Sequence, residues 1–281
     1  MVKKYIFITL VVLVVAAAFV IYADKHGVIR TSGEDIGVSA GQAILINGEN
    51  GKVMYEKCAD EKAYPASTTK IMTALITLEV LRENDSLMDQ EIEVPECAHG
   101  VEGSSIYLKS GEKISLEDLL YGLMLVSGND AATALAEIIG GTQENFVEMM
   151  NEKAKSLGCK NTHFANPSGL FDEDHYTTAR DMAIISMEAM KDPTFRKIVG
   201  STSRQAAREN SDYCTFHNKN KTVFEYEGGT GIKIGYTQNS GRTLVASSKR
   251  GDDSMICVVM SAPDWFEDAY RLMDYGYVLM K

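Results

Sequence analysis

The sequence lacks the marks of several protein classes. Its five cysteines, at 58, 97, 159, 214 and 257, form no close pair and no Cys-x-x-Cys. An odd, scattered set argues against a fully paired disulfide framework and against a zinc cluster. The five histidines, at 26, 99, 163, 175 and 217, show no ligand spacing. There is no run of basic residues, and the formal charge is −11. Nucleic-acid binding normally demands a basic surface, so no nucleic-acid partner is expected. No internal repeat or low-complexity tract occurs. What remains is ordinary: 281 residues, 45% hydrophobic and 24% charged. That excludes a disordered, collagenous or mainly membrane-embedded chain and suffices for a sizeable core.

One long apolar run stands at the start. Residues 5–23 contain no charge, proline or glycine, and Lys3 and Lys4 precede them. As a helix this run is about 28 Å long, roughly one hydrocarbon core. Lysines ahead of it favour that end staying in the cytoplasm, with the rest of the chain outside. Two readings stay open for residues 1–23: an uncleaved membrane anchor, or a secretory signal with a poor cleavage site at Ile21-Tyr22-Ala23. Residues 24–37, polar and glycine-containing, read as a linker, and 38–281 as one folded domain.

Hydrophobic periodicity predicts the layout of that domain. Strands are expected at 42–47 and 52–56, joined by the Asn47-Gly-Glu-Asn-Gly51 turn, and at 230–237, 242–248 and 254–260. Helices are expected at 67–81, with an apolar stripe at 71, 72, 75, 78 and 81, and at 115–126, 129–139, 142–157, 178–191 and 264–275. Ser115-Leu-Glu-Asp118 resembles a capping box. Strands at both ends flank a helical block, which predicts an α+β fold with one antiparallel sheet and helices packed on it.

Three short motifs carry chemistry. Ser67-Thr-Thr-Lys70 places a hydroxyl and an amine on one helix face, so Lys70 can reach Ser67. A lysine with a lowered pKa can serve as base for a serine nucleophile. The Ser67 backbone N–H, at a helix start, can stabilise an oxyanion. An isolated Ser-x-x-Lys is most often only a cap and a solvent-facing lysine; Ser110-Gly-Glu-Lys113 is such a decoy. Ser127-Gly-Asn129 falls between two helices, wedged among apolar and small residues. Lys233-Ile-Gly235 lies on a strand, where glycine allows close approach of a ligand. Lys-x-Gly alone means little, since Lys25-His-Gly27 and Lys109-Ser-Gly111 match it too.

Taken in order, with spacings of 60 and 106 residues, the three resemble the signature elements of penicillin-recognising serine acyl enzymes. Pro65-Ala-Ser-Thr-Thr-Lys-Ile-Met-Thr73, Leu125-Val-Ser-Gly-Asn-Asp-Ala-Ala132 and Phe164-Ala-Asn-Pro-Ser-Gly-Leu170 narrow the resemblance. So do His175-Tyr-Thr-Thr-Ala-Arg-Asp-Met182 and Gly231-Ile-Lys-Ile-Gly-Tyr-Thr237. Residues 38–277 are similar to low-molecular-mass D-alanyl-D-alanine carboxypeptidases, peptidase family S11. This resemblance implies a β-lactamase/transpeptidase-like fold: a central antiparallel sheet, helices on both faces and a helical subdomain. It implies that Ser67 attacks the terminal D-Ala-D-Ala bond of a peptidoglycan stem peptide, Lys70 takes its proton and Ser127 relays a proton to the leaving D-alanine. Asn129, Lys233, Gly235, Tyr236 and Thr237 would bind substrate, with the Ser67 and Tyr236 N–H groups as oxyanion hole. β-Lactams would acylate Ser67. No cofactor and no metal are implied.

Two departures matter. The family usually has threonine where this chain has Ile234, so a hydroxyl for the substrate carboxylate is missing. One such bond is worth about 1.5–3 kcal/mol, roughly 10- to 150-fold. Weakened carboxypeptidase activity is therefore expected unless Thr237 or Arg242 compensates. Binding without catalysis, a D,D-endopeptidase and a serine β-lactamase are the alternatives. Second, many relatives carry a further β-rich domain and an amphipathic C-terminal helix. Neither is expected here, where the N-terminal span would attach the enzyme to the bacterial membrane, facing outward.

Overall fold

The computed structural model describes residues 36–82, 88–209 and 211–280. The apolar run at 5–23 and nearly all of the linker lie outside them. Among the described residues no helix is long and apolar enough to cross a membrane.

Five strands form the central sheet: β1 (Gln42–Asn47), β2 (Val53–Lys57), β7 (Gly229–Thr237), β8 (Gly241–Arg250) and β9 (Asp253–Met260). Their order is β2-β1-β9-β8-β7, every pair antiparallel. β9 sits in the middle, buried from Met255 to Met260. Its sequence is a continuous apolar run because both faces are covered. Helix α8 (Trp265–Leu279) packs against β9, β8 and β1. Helix α5 (Ala179–Ala189) also packs on β9 and β1. β7 is an edge strand, flanked by α6 (Pro193–Gly200) and α7 (Thr222–Glu225).

The helical subdomain contains α1 (Lys70–Arg82), α2 (Leu116–Tyr121), α3 (Asn129–Gly140) and α4 (Gln143–Ser156). Two small ladders complete the fold: β3 (Glu91–Glu93) with β4 (Lys113–Ser115), and β5 (Ser203–Gln205) with β6 (Thr215–His217). These pairs and α7 are too short to show periodicity; α6 is amphipathic, burying Phe195, Ile198 and Val199, but spans only two turns, and none of these is among the predicted elements.

Three expectations change in detail. α1 is buried almost all round, not along a stripe, because α3, α4, α5 and β7 enclose it. The segment expected as one helix to 126 leaves α geometry at Gly122 and continues as a π turn over Gly122–Val126. The capping box is half made: Ser115 Oγ accepts the Asp118 N–H at 3.0 Å, but the Asp118 carboxylate instead takes Arg204 and the Ala207 N–H. All five cysteines are free; Cys257 is buried in β9, while Cys159 is only half-buried.

One polar clamp ties the start of the domain to its end. Asp268 on α8 is buried and accepts from Ser39 N at 2.9 Å, Ser39 Oγ at 2.7 Å and Ala40 N at 2.8 Å. Removing the carboxylate strands buried donors. We expect Asp268→Ala to lower the unfolding free energy by about 2–4 kcal/mol in urea titrations. A loss below about 0.5 kcal/mol would mean that water replaces the clamp at no cost.

Candidate active site

The nucleophile segment is built first. Pro65 precedes a 3-10 turn over Ala66–Thr69 that runs into α1, so Ser67 and Lys70 lie on one side of a continuous helical path. Thr68 Oγ1 bonds back to Pro65 O at 2.7 Å and fixes the entry. Lys70 is 0% exposed, so its amine has left water entirely. Its Nζ lies 3.1 Å from Ser67 Oγ, 2.7 Å from Asn129 Oδ1 and 2.6 Å from Ser168 O.

Those three acceptors match an ammonium's three donors. They also define the geometry of the neutral amine. A neutral amine has two N–H bonds and one lone pair. Asn129 Oδ1 and Ser168 O have no proton to donate and can only accept N–H. The lone pair is therefore directed at the Ser67 hydroxyl, the arrangement a base needs. Burial pushes Lys70 well below the ordinary lysine range, the Lys233 ammonium adds to this, Asp130 opposes it and Lys219 lowers it further.

Each partner comes from a different segment. Asn129 opens α3; its Nδ2 donates to Glu102 O at 2.7 Å and its N–H to Ser104 O at 2.6 Å. The amide is thus spent inside the protein, between Lys70 and the 102–104 loop. Next to it Asp130 accepts from Ser105 Oγ, Ile106 N and Leu108 N and shapes that loop. Ser127, between the π turn and α3, adopts a left-handed conformation with φ 70°. Its Oγ is buried with no hydrogen-bond partner among the described residues.

Ser168 is a site residue that the sequence reading quoted in a motif but gave no role. Only its carbonyl acts, and a carbonyl leaves no signature in a side-chain pattern. Asn166 Oδ1 folds this turn by accepting Gly169 N at 2.8 Å, and Thr73 Oγ1 pins Pro167 O at 2.6 Å. Gly169 has φ +84°, and a Cβ there would stand 1.9 Å from Ala66 O. Glycine is what allows this turn to press on the nucleophile segment.

β7 brings the third motif. A Cβ on Gly235 would lie 2.8 Å from Ser67 N and 2.6 Å from Thr243 Oγ1, so the strand's backbone passes directly by the nucleophile. Lys233 is 1% exposed, and its Nζ donates to Ile234 O at 3.1 Å. Burial, then Lys219, pushes its pKa down to about 7. Tyr236 is exposed, and Ile234 is half-buried and offers no hydroxyl. Of the two compensating groups, Thr237 Oγ1 is engaged with Ser240 Oγ at 2.9 Å, whereas Arg242 spends one guanidinium N–H on Pro263 O at 2.6 Å and keeps others.

The structure adds Lys219, which the sequence reading did not single out. Its N–H bonds Leu125 O at 3.1 Å, beside the Ser127 turn. Its charge bears on both Lys70 and Lys233. In a chain of net charge −11, Lys219, with Lys233 when protonated, focuses positive potential beside the neutral Lys70 amine. Among the described residues no cluster of acidic, cysteine or histidine side chains suits a metal ion. A cavity of about 690 Å³ opens at the other end of β7, near Met187, Arg196, Thr230 and Lys249, and takes in none of the motif residues.

Buried lysines leave a mark on stability. A group whose folded pKa lies near 7 and whose unfolded value is 10.5 binds fewer protons in the native state between those limits. Stability contributed by Lys233 therefore rises with pH from about 7 to 10.5 and is flat below. We expect Lys233→Met to stabilise the protein more at pH 7 than near pH 10.5, read by urea unfolding at both. An equal change at the two pH values would refute the shift.

The chain is similar to known proteins over most of its length. Residues 29–264 match the family described as D-alanyl-D-alanine carboxypeptidase, Peptidase S11. The chain is 42% identical over 234 residues to D-alanyl-D-alanine carboxypeptidase DacF of Bacillus subtilis (strain 168), covering 83% of this chain and 59% of that protein. It is 33% identical to DacC of Escherichia coli (strain K12), covering 85% of this chain and 62% of DacC. With the D-alanyl-D-alanine carboxypeptidase of Streptomyces sp. (strain K15) it shares 33% identity, over 86% of this chain and 88% of that one. The crystal structure of the Streptomyces K15 DD-transpeptidase superimposes with TM-score 0.78 at 31% identity, covering 86% of this chain and 98% of that one. The chain thus spans about three-fifths of the first two relatives and most of the third. Family match, sequence identity and superposition agree, and the chain belongs to the D-alanyl-D-alanine carboxypeptidase family, peptidase S11.

Proposed function

We propose that this chain is a serine D,D-carboxypeptidase that removes the terminal D-alanine from peptidoglycan stem peptides. The observation that carries the reading is the Lys70 amine, out of water, with its lone pair directed at Ser67 Oγ. Lys70 takes the Ser67 proton as Oγ attacks the carbonyl of the penultimate D-alanine. The Ser67 and Tyr236 N–H groups receive the developing oxyanion. Ser127, whose buried hydroxyl has no hydrogen-bond partner among the described residues, passes a proton to the amine of the departing D-alanine. The C–N bond breaks and leaves an ester on Ser67; water then cleaves the ester and frees the shortened peptide. Asn129 positions Lys70, and Gly235 lets the β7 backbone, with Thr237 at its end, lie alongside the substrate.

The terminal carboxylate needs a cationic site. Ile234 supplies no hydroxyl, and the Thr237 hydroxyl is engaged with Ser240. Lys233 and Lys219 fill the role by charge. β-Lactams, which carry a carboxylate beside a strained amide, enter the same cleft and acylate Ser67. The apolar run at 5–23 supports membrane attachment with the domain outside the cytoplasm.

Incubation with a labelled penicillin, followed by peptide mapping, tests the reading: we expect the label on Ser67 and none on Ser67→Ala. A label elsewhere, or none on the wild type, would overturn it. For the carboxylate site, we expect Lys219→Met to lower kcat/KM for D-alanine release by roughly tenfold or more, as loss of a charge-assisted contact does. Ile234→Thr should raise it and recover part of the Lys219→Met loss. An unchanged rate in Lys219→Met would remove that lysine from the site.

A further inference from the structure

His175 lies outside the three motifs and touches no catalytic side chain. It is 2% exposed, between the nucleophile segment and the turn that carries Ser168. Its Nδ1 accepts the Ala165 N–H at 3.1 Å. That bond settles the tautomer: the proton sits on Nε2, which donates to Thr69 Oγ1 at 2.8 Å. Thr69 stands between Ser67 and Lys70, and Ala165 stands three residues before Ser168. The ring therefore spans the two segments whose separation sets the distance from Lys70 Nζ to Ser168 O. Phe164 packs edge-on at 5.6 Å and holds the ring plane.

We infer that His175 is a positioning residue for the general base: by joining Thr69 to Ala165 it holds the Ser168 carbonyl on Lys70 and so keeps the lone pair on Ser67. The inference rests on the proposed role of Lys70 as base. A second clamp, Thr73 Oγ1 on Pro167 O, acts on the far side of the same turn. Asn151 holds Phe164 from α4 through both its N–H and its C=O, but neither clamp reaches Thr69; the imidazole is the bond that joins the two segments. Burial pushes His175 down to about 4, with Asp172 opposing and His163 and Lys70 assisting. The ring is neutral at every pH where Lys70 can act, and the acceptor at Nδ1 is kept.

Release of this clamp has a specific consequence. When the Ser168 carbonyl withdraws, water reaches the amine and the desolvation that depresses Lys70 falls. Its pKa then climbs toward the ordinary value, and less free base is present at neutral pH. A structural defect alone would lower the amount of active protein without moving a pH profile.

The test measures acylation by a fluorescent penicillin from pH 5 to 10 in the full chain, with thermal unfolding alongside. Thr69→Val removes one hydroxyl and keeps the shape. His175→Asn can still accept from Ala165 but falls short of Thr69, whereas His175→Gln extends an amide donor toward it. We expect Thr69→Val and His175→Asn to lose about ten- to a hundredfold in acylation rate at pH 7, as small misplacements of reacting groups do. We also expect their rising limb to move to higher pH and His175→Gln to recover part of both effects. An unmoved limb in Thr69→Val, or no advantage of Gln over Asn, would overturn the inference. Should the His175 variants fail to fold, Thr69→Val alone decides. Failure of the wild type to be acylated would count against the proposed function itself, a separate result.

Discussion

A lysine amine kept from water without a carboxylate beside it is the constraint on which this site depends. Lys70 is fully buried, and its partners are a hydroxyl, a side-chain amide oxygen and a main-chain carbonyl. Neutral oxygens can orient an amine but do not stabilise its charged form as a carboxylate would. Desolvation therefore dominates, and the amine stands as a base rather than as half of an ion pair. A carboxylate at the position of Ser168 O would reverse that balance and hold the proton on lysine.

The fold supplies those oxygens from segments far apart in the chain. Helix α1 is enclosed on nearly every side, which removes Lys70 from solvent and fixes its direction. The left-handed Ser127 and the adjacent Gly128 let the chain turn sharply, so that Asn129 enters α3 with its amide on Lys70. Gly169 and Gly235 permit two backbone segments to press on the Ser67 turn from either side. Burying two lysines costs stability over the neutral range. The apolar sheet and the clamped ends of the domain offset it.

Substrate recognition follows from the same electrostatics. The chain is acidic as a whole, yet Lys70, Lys219 and Lys233 act on one another across a single cleft. Such a site favours a ligand ending in a carboxylate. The family's usual threonine is replaced by Ile234, and the turn beyond β7 spends the Thr237 hydroxyl on Ser240.

Much of this was legible in the sequence, and the boundary has a physical reason. Periodicity located β1, β7, β8, β9 and α1, α3, α4, α5 and α8 because each is long and faces a core. It missed β3–β6 and α7, whose few residues carry no period, and also α6, which is amphipathic, with Phe195, Ile198 and Val199 buried, but only two turns long. The motifs named Ser67, Lys70, Ser127, Asn129 and Lys233 because their chemistry resides in side chains. The sequence by itself determined which reactive groups exist and their order along the chain. Only the tertiary structure decided that Asn129 holds the base, that Ser168 contributes a carbonyl, that Lys219 bears on the cleft and that His175 joins the segments around it. Those roles arise from backbone atoms and from distance between segments remote in sequence, and neither is written in residue type.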